Sequence, residues 1–177
     1  MTQKSISDVQ SGYDHIADEY ARRIYDELRN KPLDRELLNR FAESVGADGM
    51  ACDLGCGPGH VARYLQGRGI QVCGLDLSEG MLERARQLNP GVQFYQGDMR
   101  ALTVAGNTWA GIAAFYAIVN LSLADVSCSL QEMMRVNLSA SSGSHSTVNS
   151  VPGRFFFICT GKPKTSSAPS SSKRSNT

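Results

Sequence analysis

Glycines and an acid follow the first apolar run of the chain, in the stretch Asp53-Leu54-Gly55-Cys56-Gly57-Pro58-Gly59. The run itself, Met50–Leu54, predicts a buried strand, and a helical pattern begins at His60. Glycines at such a turn let the backbone bend sharply and let a ligand approach where a side chain would collide. The first turn of the following helix offers free backbone amides as donors. The stretch therefore predicts a ligand-binding loop, and a tight turn that binds nothing is the alternative.

Two further acids follow the next two apolar runs. Asp76 lies 17 residues beyond Gly59, and an ionised carboxylate there can accept two hydrogen bonds from a ribose diol. Asp98 is followed by Met99, a pair that suits an adenine, with the acid on the exocyclic amine and the methionine on the ring. Either acid alone could instead cap a helix or lie solvated in a loop. Three such features after three successive strands are a stronger signal than any one of them.

The spacing of the apolar residues predicts the elements that carry these groups. Helices are predicted over residues 8–30, from Pro32 to a stop at Gly46, from His60 to about Gly67, from a Ser78 cap to Pro90, and over 125–136. Strands are predicted over residues 50–54, 71–77, 92–96 and 109–119. This alternation predicts an α/β fold, a Rossmann-like, doubly wound and mainly parallel sheet with helices on both faces. Ligands bind such sheets beyond the carboxyl ends of the strands, where the glycines and acids lie.

Together these motifs resemble the class I S-adenosylmethionine-dependent methyltransferases over about residues 13–136. Residues 53–59, 74–78 and 97–99 match the first three motifs of that family, 113–117 is similar to its fourth-strand motif, and 132–136 to the helix that follows. The resemblance implies S-adenosylmethionine as cofactor and S-adenosylhomocysteine as product. It implies the glycine loop with Asp53 at the methionine end, Asp76 on the ribose, and Asp98 with Met99 on the adenine. The implied cofactor-binding set is Tyr13, Tyr20, Asp53, Gly55, Cys56, Gly57, Gly59, Asp76, Leu77, Met81, Asp98, Met99 and Phe115.

Tyr13 and Tyr20 enter that set as residues that close over the cofactor, and simple packing of the first helix is an equal alternative for both. A nicotinamide dinucleotide is the alternative cofactor, since its site would also place an acid like Asp76 after the second strand. Its fingerprint is Gly-x-Gly-x-x-Gly, whereas here the third glycine comes one residue early. An acid also precedes the loop, and Asp53 would repel a pyrophosphate but attract the ammonium of a methionine moiety. These features favour S-adenosylmethionine.

Methyl transfer from a sulfonium is an in-line displacement that needs alignment in a dry pocket and no metal. A general base is needed only if the acceptor must lose a proton first, and no catalytic residue is assigned. His60 and His15 are predicted to be structural and solvated, respectively. Asn120 follows the fourth strand, either facing the acceptor or lying in a turn.

The acceptor is predicted to be a small molecule. Enzymes that methylate adenine N6 or protein amides often carry the sequence Asn/Asp-Pro-Pro-Tyr/Phe after the fourth strand, and this chain has no such sequence there. Residues 1–136 also carry a net charge of −4. Arginines could attract an anionic acceptor, although solvated side chains are the simpler expectation for Arg22, Arg23 and Arg100.

The charge of +1 for the whole chain conceals a division near residue 137. Residues 137–177 hold five basic and no acidic residues, with 12 serines. We therefore predict N-terminal helices covering the cofactor site over 1–45, a Rossmann-like core over 46–136, and an atypical tail over 137–177 with one strand at 155–160 and a disordered end. A frameshift or alternative exon, a short regulatory or inactive relative, and an intact minimal enzyme would each produce this tail. The family pattern expects further strands after residue 136, so the C-terminal strands of the sheet are predicted to be incomplete and the activity to be low. A non-catalytic S-adenosylmethionine-binding or heteromeric partner protein is the alternative function.

Other classes of protein are disfavoured by composition. No apolar run reaches the roughly 18–20 residues that span a bilayer, and residues 1–10 lack a signal-peptide pattern. The five cysteines include no Cys-x-x-Cys pair, so reduced thiols and a cytoplasmic location are expected. The basic tail gives only weak support for nucleic-acid binding, and the oligomeric state is left open.

Overall fold

In the computed structural model, residues 5–137 are described in full and residues 156–160 by their backbone. Most of the tail at 137–177, including the end predicted to be disordered, lies outside the described residues. The elements in chain order are α1 Ile6–Ile24, a 3-10 helix Glu27–Asn30, α2 Pro32–Val45, β1 Met50–Leu54, α3 His60–Gln66, β2 Gln71–Asp76, α4 Glu79–Leu88, β3 Gln93–Gln96, β4 Gly111–Phe115, α5 Leu123–Val136 and β5 Phe156–Thr160.

The strands form one sheet in the order β3-β2-β1-β4-β5. The first four run parallel, with β1 in the centre and its neighbours β2 and β4 on either side. This confirms the predicted α/β fold with a mainly parallel sheet. The fifth strand pairs antiparallel with β4, from Gly111 opposite Thr160 to Phe115 opposite Phe156.

Helices cover both faces of the sheet, because alternate residues of its strands point to opposite sides. Ala51 of β1 packs in a cluster with Phe41 of α2 and Leu65 of α3. Its neighbour Cys52 packs in a second cluster with Met133 of α5. Each side of the sheet therefore has its own core, and the carboxyl ends of the four parallel strands share one edge.

The first helix is shorter than predicted and begins earlier. A capping box between Ser5 and Asp8 starts it at Ile6. Its α-helical hydrogen bonding stops near Tyr25, whose carbonyl accepts a bond of 2.9 Å from Arg63 Nη2 while the Arg63 guanidinium lies over the ring at 3.9 Å. The single predicted helix is thus divided into α1 and a 3-10 helix by tertiary contacts.

Smaller differences concern the other element ends. The predicted strand over 109–119 is reduced to Gly111–Phe115, because Tyr116 adopts a left-handed conformation with φ of 56° and turns the chain away from the sheet. Ser122 caps α5, accepting from the amide of Asp125 at 3.0 Å, so that the helix begins at Leu123. Among the described residues, no helix is long and apolar enough to cross a membrane.

Candidate functional site

A cavity of about 340 Å³ lies at the carboxyl ends of the parallel strands, with α1 on its outer side. Its volume is in the range that holds small-molecule ligands. Eleven of the thirteen predicted cofactor-binding residues line it, namely Tyr13, Tyr20, Gly55, Cys56, Gly57, Asp76, Leu77, Met81, Asp98, Met99 and Phe115. The topology therefore brings residues from after four strands, and from α1, to one place.

The glycine loop after β1 is pressed against neighbouring chain segments. The amides of Gly55 and Cys56 both donate to the carbonyl of Leu75, at 2.7 and 3.1 Å. A Cβ on Gly55 would overlap that of Ala117, and the φ of +73° favours glycine as well. The loop therefore presents backbone rather than side chains to the cavity.

Asp76 connects the loop to the end of β2. Its Oδ2 accepts from the amide of Gly57 at 2.8 Å, and its Oδ1 accepts from the amide of Ser78 at 2.9 Å. Burial raises the pKa of this carboxyl, although the backbone donors oppose that effect. A carboxylate offers about four acceptor positions, so after these two bonds Asp76 can still accept hydrogen bonds from a ligand in the cavity.

Asp53 and Gly59 are predicted site residues that do not line the cavity. Asp53 is 1% exposed and lies beneath the loop, where its Oδ2 accepts from the amide of Ala62 at 2.9 Å. Burial raises its pKa to about 8. A Cβ on Gly59 would stand 2.7 Å from both Asn89 Nδ2 and Phe94 Cζ. Both residues therefore support the loop and the start of α3 from outside the lining of the cavity.

Asp98 and Met99 line the cavity after β3, and Arg100 neutralises the acid. The Arg100 guanidinium donates to Asp98 Oδ2 at 2.6 Å and to Asp125 Oδ1 at 2.7 Å. This partner holds the pKa of Asp98 below its ordinary value. Arg100 is therefore a structural bridge between two acids and not the solvated side chain that was expected.

Helix α1 is tied to the body on both sides of the cavity. Asn120 donates to Tyr13 Oη at 2.7 Å, which joins the helix to the chain after β4. Asp14 Oδ1 accepts from Ser78 Oγ at 2.5 Å and from the amide of Gly80 at 3.0 Å, which joins it to the start of α4. Burial raises the pKa of Tyr20 to about 12. Asn120 thus lies in a turn and positions Tyr13.

Sequence reasoning missed Glu27 and Lys31 in the wall of the cavity, where they lie beside His60, which was predicted to be structural. Lys31 Nζ lies 2.8 Å from Glu27 Oε2, and His60 Nε2 lies 3.3 Å from Glu27 Oε1. Lys31 Nζ is also 4.6 Å from the centroid of the Tyr116 ring. Despite the opposing effect of burial, His60 and Lys31 lower the pKa of Glu27. The four-residue spacing of Glu27 and Lys31 is a visible signal for an ion pair, but the helix predicted over residues 8–30 ended before Lys31, and the pattern gave no reason to place the pair at the cavity.

The remaining candidates lie elsewhere. His15 is exposed, and the exposed Arg22 and Arg23 both pair with Glu19. Among the cysteines whose side chains are described, all are free thiols; Cys52, Cys56 and Cys73 are buried, and Cys128 is exposed.

Comparison with known proteins identifies the family. Residues 51–138 match the family described as a methyltransferase domain. A trans-aconitate 2-methyltransferase of Paracidovorax citrulli is 42% identical over 82 residues, covering 45% of this chain and 30% of that protein. A malonyl-[acyl-carrier protein] O-methyltransferase of Enterobacter lignolyticus is 34% identical over 119 residues, covering 63% of this chain and 43% of that protein. The chain spans less than half the length of these two relatives.

A solved structure of a methyltransferase is also similar to this chain. An amino pentose methyltransferase of Micromonospora echinaspora with S-adenosylmethionine bound superimposes with a TM-score of 0.54 at 27% identity, covering 60% of this chain and 46% of that one. The fold, the motifs after its strands and these likenesses agree. The chain belongs to the class I S-adenosylmethionine-dependent methyltransferases.

Proposed function

We propose that this chain binds S-adenosylmethionine in the cavity beneath α1 and transfers its methyl group to a small-molecule acceptor. One observation carries the proposal: residues that follow β1, β2, β3 and β4 line a single cavity, with the Asp76 carboxylate among them. Such a cavity at the carboxyl edge of a doubly wound sheet is where this class of fold binds nucleotide-like ligands.

The chemistry of the lining suits each part of the cofactor. Asp76 retains acceptor positions for a ribose diol, and Met99 offers an apolar, polarisable surface for a purine. The backbone of Gly55 and Gly57 allows close approach without side-chain collision. S-adenosylmethionine supplies an electrophilic methyl group on a sulfonium sulfur. Because Asp98 is neutralised by Arg100, the lining keeps a modest negative charge that favours a cationic ligand.

The residues of α1 that lie over the cavity would align the two reactants and exclude water. Tyr13, Tyr20 and Ile24 place apolar surface over the cavity. Holding an acceptor and a methyl donor in line within such a space raises their effective concentration, which lowers the activation free energy by about 7–11 kcal/mol in favourable cases. The acceptor would meet the methyl group near Phe115 and Tyr116, where the chain leaves β4.

The class of acceptor is proposed from the relatives. Their names specify trans-aconitate and malonyl-[acyl-carrier protein], and both acceptors carry carboxylates. A first panel of acceptors should therefore contain small mono-, di- and tricarboxylic acids, with neutral phenols and amines for comparison. Incorporation of a radioactive methyl group into a member of this panel would support the proposal.

Binding is tested by titration calorimetry with S-adenosylhomocysteine. We expect Asp76→Ala to weaken binding by about 1–3 kcal/mol, since it removes hydrogen bonds to a charged acceptor. The matched control is Asp48→Ala, because Asp48 is an exposed acid just before β1, at the opposite end of the sheet. Equal affinity of the wild type and Asp76→Ala would contradict the ribose assignment. Tight binding without transfer to any acceptor would instead favour a non-catalytic binding protein.

A further inference from the structure

The ion pair between Glu27 and Lys31 lies in the wall of the cavity, not on the open surface. Both residues line it, and their side chains are 23% and 25% exposed. The pair is adjacent to the glycine loop, since Lys31 lies over the ring of Tyr116 and the next residue, Ala117, packs against Gly55. Burial of an ion pair is costly, so its position at this end of a ligand cavity calls for an explanation.

The lining of the cavity holds more acids than bases. Glu27, Asp76 and Asp98 contribute to it, and Arg100 neutralises Asp98 from outside the lining. Lys31 is the only lysine or arginine among the lining residues that the structure describes. A ligand carboxylate would meet repulsion near the acids and attraction at the Lys31 ammonium alone. A ligand ammonium would need a carboxylate nearby, and the structure places Asp53 beneath the loop and out of the cavity.

We propose that the Glu27–Lys31 pair receives the amino-acid end of the cofactor, with Lys31 on the α-carboxylate and Glu27 on the α-ammonium. The inference rests on the proposed function, because it concerns the same cavity. Two opposite charges 2.8 Å apart are complementary to a zwitterion, whose own charges are separated by a single carbon. The three donors of Lys31 and the lone pairs of Glu27 allow each to bind the ligand while keeping its partner.

Neighbouring groups hold both members of the pair in position. His60 Nε2 lies 3.3 Å from Glu27 Oε1, and His60 is 8% exposed. Lys31 lies over the Tyr116 ring and 3.9 Å from Asp34 Oδ2. A preorganised pair loses little side-chain entropy when a ligand binds, so these contacts favour recognition over a merely structural ion pair.

The test compares two ligands that differ in this one part. S-adenosylhomocysteine carries the amino-acid end, whereas 5′-methylthioadenosine has the adenine, ribose and thioether without it. By calorimetry, we expect Lys31→Gln and Glu27→Gln each to weaken S-adenosylhomocysteine binding by about 10- to 100-fold, the effect of losing a charge-assisted hydrogen bond. Binding of 5′-methylthioadenosine should change less than about twofold, since no charged contact to it is lost.

Two further variants make the result specific. Lys31→Arg keeps the charge and should restore most of the affinity for S-adenosylhomocysteine. Glu36→Gln tests an exposed pair of the same spacing, Glu36 with Arg40, and should have no effect. A decarboxylated analogue of S-adenosylmethionine separates the two arms: its affinity should be insensitive to Lys31→Gln but still reduced by Glu27→Gln.

The possible outcomes are distinct. Equal weakening of both ligands by Lys31→Gln would mean that the pair only supports the cavity, and unchanged binding of S-adenosylhomocysteine in both variants would remove the inference. If the wild type bound neither ligand, the proposed function itself would fail. Thermal melts of each variant show whether the fold is retained, and retained affinity for 5′-methylthioadenosine confirms an intact cavity.

Discussion

Asp53 should make the folded protein less stable as the pH rises through the neutral range. Its carboxyl is fully buried and its pKa is raised from 3.8 to about 8, because burial disfavours the charged form. The unfolded chain loses this proton near the ordinary value, whereas the folded chain keeps it until about pH 8. The folded state therefore binds more protons between these values, and stability falls as pH rises across that window.

The size of the effect follows from one proton. Each pH unit within the window changes the free energy of unfolding by about 1.4 kcal/mol. Between pH 5 and 7 the wild type should therefore lose about 2.7 kcal/mol that Asp53→Asn does not lose. Asparagine retains an oxygen that can accept from the amide of Ala62, so the variant removes the charge with little change in shape.

The assay is urea unfolding of wild type and Asp53→Asn at several pH values from 5 to 7. The difference between the two slopes isolates this residue, since the other titrating groups are common to both proteins. Asp48→Asn alters an exposed acid and should run parallel to the wild type. Parallel lines for wild type and Asp53→Asn would refute the reasoning, and would mean that Asp53 ionises while folded.

Two further predictions concern the attachment of α1. A Cβ on Gly80 would lie 3.1 Å from the Asp14 backbone, whereas one on Gly12 meets nothing within 4 Å. In urea unfolding, Gly12→Ala should therefore stabilise the protein by about 0.5–1 kcal/mol, while Gly80→Ala should stabilise it less or destabilise it. Equal stabilisation by the two variants would show that the space between α1 and α4 accommodates a Cβ at position 80. Asn120→Ala removes the bond to Tyr13 and should speed release of S-adenosylhomocysteine by about fivefold in stopped flow, the effect of about 1 kcal/mol. Tyr13→Phe should do the same, and additive effects in the double variant would contradict their coupling.

Much of the fold and of the site could be predicted because both follow from local patterns. The glycines and acids occur directly after apolar runs, and a parallel sheet brings such positions to one edge whatever the details of packing. That logic located Asp76 and Met99 without knowledge of any contact. It did not show whether each side chain points into the cavity or towards one face of the sheet. Asp53, for example, lies on the same face of the sheet as Ala51 and is covered by α3.

Other features depend on contacts between distant parts of the chain. The end of α1 near Tyr25 requires Arg63, which is 38 residues away, and the helix pattern alone continued through this point. Glu27 and Lys31 come just after this end of α1, and both line the cavity. The requirement for glycine at position 59 likewise arises from Phe94 and Asn89, and a glycine-rich motif does not distinguish packing from ligand approach.

The sparse apolar contact of α1 has a consequence for the energetics of ligand capture. Only Ala17 and Ala21 of this helix are buried, and its other attachments are mainly polar. Detachment of α1 would expose little apolar surface, so it should open at a smaller free energy than the sheet unfolds. The apparent affinity for a ligand beneath it is then the intrinsic affinity multiplied by the fraction of molecules with α1 docked. Asp14 and Asn120 thus contribute to cofactor affinity through that fraction, although they lie outside the lining of the cavity.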